Sequence, residues 1–379
     1  MRQFRLLGTI SLLFIVAVAC APAALAGTVH TYYVAADEVD WNYTPLGIDG
    51  MMGMPFMDYA KLYTERGPHR IGSTYRKAIY REYTDETFTT LKPRAAEWEH
   101  TGMLGPVLRA EVGDTIKVVF KNNGTHPFTM HPHGVFYAKD SEGAGYADGT
   151  STPDKNGVPP GKTHIYTWEV PERAGPGPND PSSIVWLYHS HADEPKDVES
   201  GLAGVMLISR KGTAGPTGRP KDVDREFVTL FMIVDENNSW YLQHNIDTYT
   251  SDPKGTNKLE ADPSDGKGNF NIFGSGFSGV NFRSSINGYM FANGPVMTMK
   301  KGERVRWYVV TIGEGQIHTP HWHGNVVLQG GKRTDVIFIG SAQMETVDMV
   351  PDDPGTWMYH CHFDEHMNAG MMALYKVEP

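Results

Sequence analysis

The residues best equipped for chemistry crowd near the C-terminus: His360-Cys361-His362, then His366 and Met371, with His318-Thr-Pro-His321-Trp-His323 upstream. A mononuclear blue copper centre requires two imidazoles, one thiolate and a weak axial thioether, and His318, Cys361, His366 and Met371 offer that set from separate strands or loops. Soft sulfur ligation suits such an ion to rapid one-electron exchange. Alternate residues of a strand share a face, so His360 and His362 point together while Cys361 points oppositely, and one strand can join two metal sites. Taken alone, Cys361 reads as an inert buried thiol and Met371 as a core methionine, the commoner fate of each residue type. Their spacing to His360 and His366 is what argues for ligation.

Four His-x-His pairs accompany this set: His131/His133, His189/His191, His321/His323 and His360/His362. A lone pair would leave even odds between ligation and chance, but four matched pairs in two repeats leave chance little room. Gly113–Gly134 parallels Gly302–Gly324, and Trp186-Leu-Tyr-His189-Ser-His191 parallels Trp357-Met-Tyr-His360-Cys-His362, so the chain is a tandem duplication. The repeats differ where sulfur chemistry would sit. Phe128 stands for His318, Ser190 for Cys361, and Pro195 falls where His366 would be, so the first repeat lacks a blue copper set. His30, His69, His100, His126, His164 and His244 have no partner spacing that implies a metal, although His126 could lie just behind a ligand.

The elements that must position these side chains are strands. Helix-period stretches are scarce, and β-branched and aromatic runs such as Thr115–Phe120, His164–Val170, Phe227–Val234 and Arg304–Ile312 recur between Gly, Pro and Asp clusters, the pattern of an antiparallel sandwich. With 379 residues, 40% of them apolar, the chain can fill two cores. Each repeat ends in an apolar strand, Gly201–Ser209 and Met371–Val377, and the Gly-, Pro- and charge-rich stretch Lys211–Asp224 divides domains at 27–212 and 213–379. Ala138–Lys162 and Asn237–Gly279 read as long loops. Arg2 and Arg5, an apolar run from Leu6 to Ala19, and Ala24-Leu25-Ala26 mark residues 1–26 as an export signal, with a periplasmic or secreted product and no membrane span in the mature chain. A lipid anchor at Cys20 is the competing reading, against which Ala17 stands where that motif prefers Leu. A formal charge of −10 without a basic block argues against nucleic acid and anionic membrane surfaces as partners.

Longer phrases carry a family resemblance: Tyr32-Tyr-Val-Ala-Ala, Lys77-Ala-Ile-Tyr-Arg-Glu-Tyr, Gly105-Pro-Val-Leu-Arg-Ala-Glu-Val-Gly-Asp114, His131-Pro-His-Gly-Val-Phe-Tyr137, Thr167-Trp-Glu-Val-Pro-Glu-Arg-Ala-Gly-Pro-Gly-Pro178 and Pro354-Gly-Thr-Trp-Met-Tyr-His-Cys-His362. With them the chain resembles the two-domain multicopper oxidases, in wording similar to the ceruloplasmin and hephaestin branch. The resemblance implies an all-β fold of two tandem Greek-key cupredoxin (plastocyanin-like) β-sandwich domains. It also implies four coppers per monomer, one of type 1, one of type 2 and two of type 3. His131 and His321 would hold the type 2 copper, and His133, His189, His191, His323, His360 and His362 the type 3 pair. Electrons would pass from a small reducing substrate by way of Cys361 to a trinuclear cluster that reduces O2 to water. That cluster would lie at a subunit interface of a homotrimer.

Two acids complete the expectation. Asp364 matches a proton-relay acid and Glu365 an iron-binding acid beside the blue centre, while Gly279 and Ser284 occupy the positions of two further iron ligands and cannot replace them. The sequence therefore points first to laccase-like oxidation of phenols or aromatic amines. A metallo-oxidase acting on ferrous or cuprous ion is the alternative, and a two-domain copper nitrite reductase the second, disfavoured by the doubled His-x-His sets. Met51, Met52, Met54 and Met57 read first as an apolar loop packed at an interface and second as a cuprous-ion site.

Overall fold

The computed structural model describes residues 27–147, 156–252, 277–313 and 317–379. The export signal therefore lies outside the described residues.

The first half contributes nine strands: β1 (Val29–Asn42), β2 (Thr74–Tyr83), β3 (Leu108–Glu111), β4 (Thr115–Asn122), β5 (His131–Pro132), β6 (Phe136–Tyr137), β7 (Thr163–Glu169), β8 (Ser183–His189) and β9 (Ala203–Ser209). They form two sheets, in the orders β2-β1-β4-β7-β6 and β3-β9-β8-β5. Alternation puts Ile116, Val118 and Phe120 of β4 inward against Tyr166 and Trp168 of β7, and these residues belong to one apolar core.

The second half repeats the plan with β10 (Arg225–Asp235), β11 (Phe282–Ile286), β12 (Met297–Lys300), β13 (Val305–Thr311), β14 (Ile317–His318), β15 (Pro320–Trp322), β16 (Val327–Gln329), β17 (Lys332–Thr334), β18 (Ile339–Gly340), β19 (Met344–Met349), β20 (Gly355–Cys361) and β21 (Met372–Glu378). Its sheets run β11-β10-β13-β19-β16-β17 and β12-β21-β20-β15, with a β14-β18 pair beside them. In both halves the first long strand pairs in parallel with the strand that follows a Gly turn, β1 with β4 and β10 with β13. The architecture is the expected all-β cupredoxin sandwich, made twice.

A third apolar core belongs to neither half alone. It joins Tyr43, Ile71, Val185 and Leu187 of the first to Val228, Leu230, Met290 and Tyr308 of the second. Buried polar contacts tie the same boundary. Lys77 and Glu236, both without solvent exposure, pair at 2.7 Å, and Tyr43 donates to the same carboxylate at 2.6 Å. Arg109 reaches Glu226 at 2.6 Å, and Ser183 bonds the Tyr308 hydroxyl at 2.7 Å.

The four strands expected from apolar runs all form, within two residues of their expected ends. The stretch Asn237–Gly279 is not a plain loop. It carries a helix at Leu242–Tyr249, whose Leu242, Ile246 and Tyr249 recur at helical spacing and pack on the shared core. Asn and Asp around that short stripe hide it in the sequence. Among the described residues no helix is long and apolar enough to cross a membrane.

Candidate metal centres

Three groups of side chains converge, each with ligand atoms within 4.8 Å of one another: His318, Cys361 and His366; His131, His133 and His189; and His321, His323 and His360.

The sulfur centre is made by the end of β20 and the turn after it. Cys361 donates its N–H to the Met371 carbonyl at 3.2 Å, and Met371 donates to the His366 carbonyl at 2.9 Å, so two backbone bonds close the loop from thiol to thioether. Cys361 Sγ lies 3.8 Å from His318 Nδ1 and 3.5 Å from His366 Nδ1. Cys361, Met371 and His318 are fully buried. Burial pushes the Cys361 thiol above its ordinary range and holds His318 down at about 3, with His366 a lesser cause for the latter. Two neutral imidazoles around a thiol that would ionise only beside a cation form a donor set that fits copper. Thr319 donates its N–H toward Sγ at 3.4 Å.

The two histidine centres are near copies. Strand register sets His131 opposite His189 and His321 opposite His360. His133 Nε2 lies 3.1 Å from His189 Nε2, and His323 Nε2 lies 3.0 Å from His360 Nε2. The outer members, His191 and His362, place their rings 5.1 Å from that of His131 and 5.3 Å from that of His321. Backbone carbonyls orient the inner rings: Nδ1 of His131 donates to Glu142 and that of His321 to Asp335, while His189 and His360 donate to the carbonyls of the residues that follow them. Since a carbonyl only accepts, Nδ1 carries the proton and Nε2 keeps its lone pair for a metal. Burial lowers His133 and His360 to about 4 and His189 to about 3, so all three stay neutral. The glycine that closes each His-x-His-Gly turn has a packing reason. Gly134 and Gly324 sit at positive φ against Trp186 and Trp357, where a Cβ would come within 2.3 and 2.6 Å of the indole.

Within one chain the two histidine centres stay apart, for no ring contact or hydrogen bond joins them among the described residues. Where the second half has its sulfur centre, the first has a polar latch. Ser190 Oγ accepts from Thr129 N–H and donates to Asp197, which is fully buried and also accepts from Ala192, Asp193 and the Trp240 indole. Phe128, at the repeat position of His318, is fully buried.

Of the two acids, Asp364 is exposed and Glu365 half-buried at the start of the short helix Asp364–Asn368. Neither side chain has a hydrogen bond or ion pair among the described residues. Sequence reasoning passed over Asp197, Glu142, Asp335 and Glu194, whose carboxylate pairs with His191 at 3.1 Å, because latches, orienting carbonyls and ion pairs lack a spacing signature. Only the repeat itself offers a signal, since Glu194 stands four residues after Ser190 as Glu365 does after Cys361. Outside the centres, His30 pairs with Asp114, His126 stacks on Trp240 and His100 is buried.

Two family models, both of multicopper oxidases, match residues 98–213 and 262–379. The chain is 43% identical over 363 residues to the human protein named Ferroxidase HEPHL1, 41% identical over 364 residues to human hephaestin, and 37% identical over 354 residues to human ceruloplasmin. These alignments take in 94, 94 and 92% of this chain but 30% of each relative's length. A solved multicopper oxidase and a copper nitrite reductase from Nitrosomonas europaea share the fold, each with a TM-score of 0.55, at 19 and 17% identity, over 92% of this chain and 89 and 94% of theirs. With the duplicated sandwich, the sulfur centre and two histidine centres in place, the chain belongs to the multicopper oxidases, in the branch of hephaestin and ceruloplasmin.

Proposed function

We propose that this protein is a copper-dependent oxidase that takes electrons singly from a reduced metal ion and delivers them to O2, making water. The observation that carries the reading is the pairing of a buried Cys/His/Met donor set with His-x-His centres on the same strand, in a chain whose relatives include a protein named ferroxidase. In this reading His318, Cys361, His366 and Met371 hold one copper of type 1, His131 and His321 one of type 2, and the six other paired histidines two of type 3. Bound copper would supply the one-electron exchange and the reduction of O2. The chain's own part is to bury the thiol, to turn Nε2 of His131, His189, His321 and His360 toward the metal by holding Nδ1 on a backbone carbonyl, and to join both sites through consecutive residues of β20. Asp364, exposed to solvent, is the group we assign to carry protons inward at its carboxylate.

Phenol oxidation, the first expectation from sequence, gives way to metal-ion oxidation because of the ferroxidase relatives. Glu365, next to His366, offers a carboxylate to a cation there. Gly279 and Ser284 are buried and add no iron ligand. A cuprous substrate has support of its own. Met52, Met54 and Met57 are 67, 46 and 68% exposed within the chain. Their loop is bonded through Gly50 to Phe291, and Phe291 and Ala292 are bonded to Gly370 and Met372 on either side of Met371. Thioethers at that surface are soft donors for a soft ion.

The separation of the two histidine centres within a chain supports their union between chains. A head-to-tail contact that closes on itself, as in a homotrimer, would bring His131, His133, His189 and His191 of one copy to the other four histidines of the next. Export by the segment 1–26 would place the enzyme outside the cytoplasm.

Oxygen uptake by the copper-loaded protein with ferrous ion, cuprous ion and a methoxyphenol, together with the particle mass by light scattering, tests the whole reading. Faster uptake with either metal ion is expected, at three times the monomer mass. Phenol as the fastest donor would restore the laccase-like reading, and no uptake would remove the enzyme.

A further inference from the structure

Met51, Met52, Met54 and Met57 stand within seven residues of one another, and the last three are exposed within the chain. A tight turn carries them. Asp49 N–H bonds the Met54 carbonyl at 2.9 Å and Gly53 N–H that of Asp49 at 2.8 Å, while Asp49 Oδ1 accepts the N–H groups of Met51 and Met52 at 2.9 and 3.1 Å. Gly53 sits at positive φ with open space where a Cβ would point, so the outer side of the turn is clear. Asp49 is the only charged residue between Leu46 and Met57, and its Oδ1 is taken by the backbone, which leaves thioethers as the main donors on offer. Thioethers suit a soft monovalent ion and are poor ligands for a harder one such as ferrous ion. Unbranched, with three rotatable bonds, methionine side chains can gather about such an ion.

The turn is mounted on the segment that leads to the sulfur centre. Gly50 N–H bonds the Phe291 carbonyl at 2.9 Å, in an approach so close that a Cβ at Gly50 would fall 2.2 Å from the Ala292 oxygen. Asn293 grips the same stretch with its side chain, accepting from Leu46 N–H and donating to the Ile48 carbonyl, each at 2.9 Å, and the Phe56 ring meets that of Phe291 edge-on at 5.6 Å. Phe291 N–H in turn bonds the Gly370 carbonyl at 2.8 Å, and Ala292 N–H that of Met372 at 3.0 Å, the residues on either side of Met371. Two hydrogen bonds with one residue of backbone between them therefore connect the methionine turn to the chain at the axial thioether. Glu365, next to His366, offers a carboxylate instead, a donor for a harder cation.

We propose that the sulfur centre has a separate entrance for cuprous ion, a thioether site made by Met52, Met54 and Met57 and distinct from the carboxylate at Glu365. The proposal rests on the metal-ion oxidase reading above and deepens it. At the turn one electron leaves the cuprous ion for the centre held by His318, Cys361, His366 and Met371, by way of the hydrogen bonds at Phe291. No proton moves in that step. The cupric product is a harder ion that thioethers hold poorly, so oxidation itself releases it.

The experiment compares the copper-loaded wild type with a variant carrying Met52→Leu, Met54→Leu and Met57→Leu, which keeps volume and apolar character and removes sulfur. It records the binding of silver ion, a soft monovalent ion that copper does not oxidise, the kinetics of oxygen uptake with cuprous and with ferrous ion, the visible thiolate-to-copper absorption and the particle mass. Each wild-type chain is expected to bind silver at the turn and the variant to lose that binding. The KM for cuprous ion should rise about tenfold, the lower end of what a disturbed metal environment costs in affinity, while the ferrous kinetics, the visible absorption and the particle mass stay as they are. Should the triple variant lose the visible absorption, Met52→Leu alone is read in its place. Silver binding retained with an unchanged KM for cuprous ion would overturn the proposal by itself, as would an equal rise in KM for both ions. A fall in particle mass with silver binding intact would overturn it in favour of a turn that packs between copies. A wild type that takes up no oxygen with either ion would overturn the oxidase reading and the entrance with it, whatever silver does.

Discussion

The turn after β8 and the turn after β20 are built on the same backbone frame and hold opposite chemistry. Ser190 N–H bonds the Leu202 carbonyl as Cys361 N–H bonds that of Met371, and Thr129 N–H points at Ser190 Oγ as Thr319 N–H points at Cys361 Sγ. The frame therefore does not choose the metal. In the second half it closes around a thiol, two imidazoles and a thioether, and in the first around a hydroxyl and a buried carboxylate. What the two turns share is the task of presenting a His-x-His pair, 5.6 Å between rings in one and 5.5 Å in the other. Duplication kept the presentation and let the ligand set diverge.

The largest expected effect comes from making the second turn like the first. Cys361→Ser should abolish the visible absorption and bring oxygen uptake to background, while copper analysis shows the histidine centres still loaded. Retained uptake would break the comparison, since the sulfur centre would then not be the entry point.

Next is the joint between the halves. Lys77→Met leaves Glu236 buried beside Tyr43 without a cation, and loss of one partner of a buried pair costs about 3–5 kcal/mol. Urea unfolding should show that loss in one transition, because the shared core ties both halves together. Two separate transitions would mean that the halves are independent.

His100 tests the same joint by pH. Its Nε2 accepts the Val228 N–H at 3.0 Å, and burial depresses its pKa from 6.5 to about 4. Between those values the unfolded chain binds the extra proton, so this stability is complete above the ordinary value and is lost as the pH falls toward the depressed one. The gap is worth about 3 kcal/mol. In His100→Gln the melting temperature should vary less over that window than in the wild type, and an equal slope would show that His100 is not the group responsible.

The smallest effect sharpens the contrast between the turns. Asp197→Ala strips the latch of a carboxylate that takes two backbone donors, a hydroxyl and an indole, and unpaired buried donors cost about 1–3 kcal/mol. Retention of the non-blue copper should weaken while the visible absorption stays. An equal loss of both signals would make Asp197 a general core residue.

Ligand identity was legible in the sequence because copper chemistry fixes residue types and strand geometry fixes their spacing: His360-Cys361-His362 needs only a period of two to be read as two sites. The sandwich was legible for the same reason, through alternation in β4 and β7 and the repeat of β8 in β20. The helix Leu242–Tyr249, the Asp197 latch, the carbonyls of Glu142 and Asp335 and the reach of Glu194 were decided by tertiary structure. A carbonyl carries no side-chain identity, a buried carboxylate has no preferred spacing to what it bonds, and a helix of two turns shows too little of its period. The exposure of Met52, Met54 and Met57 belongs there too. Composition marks a methionine as apolar, and only the packed chain determines whether anything covers it.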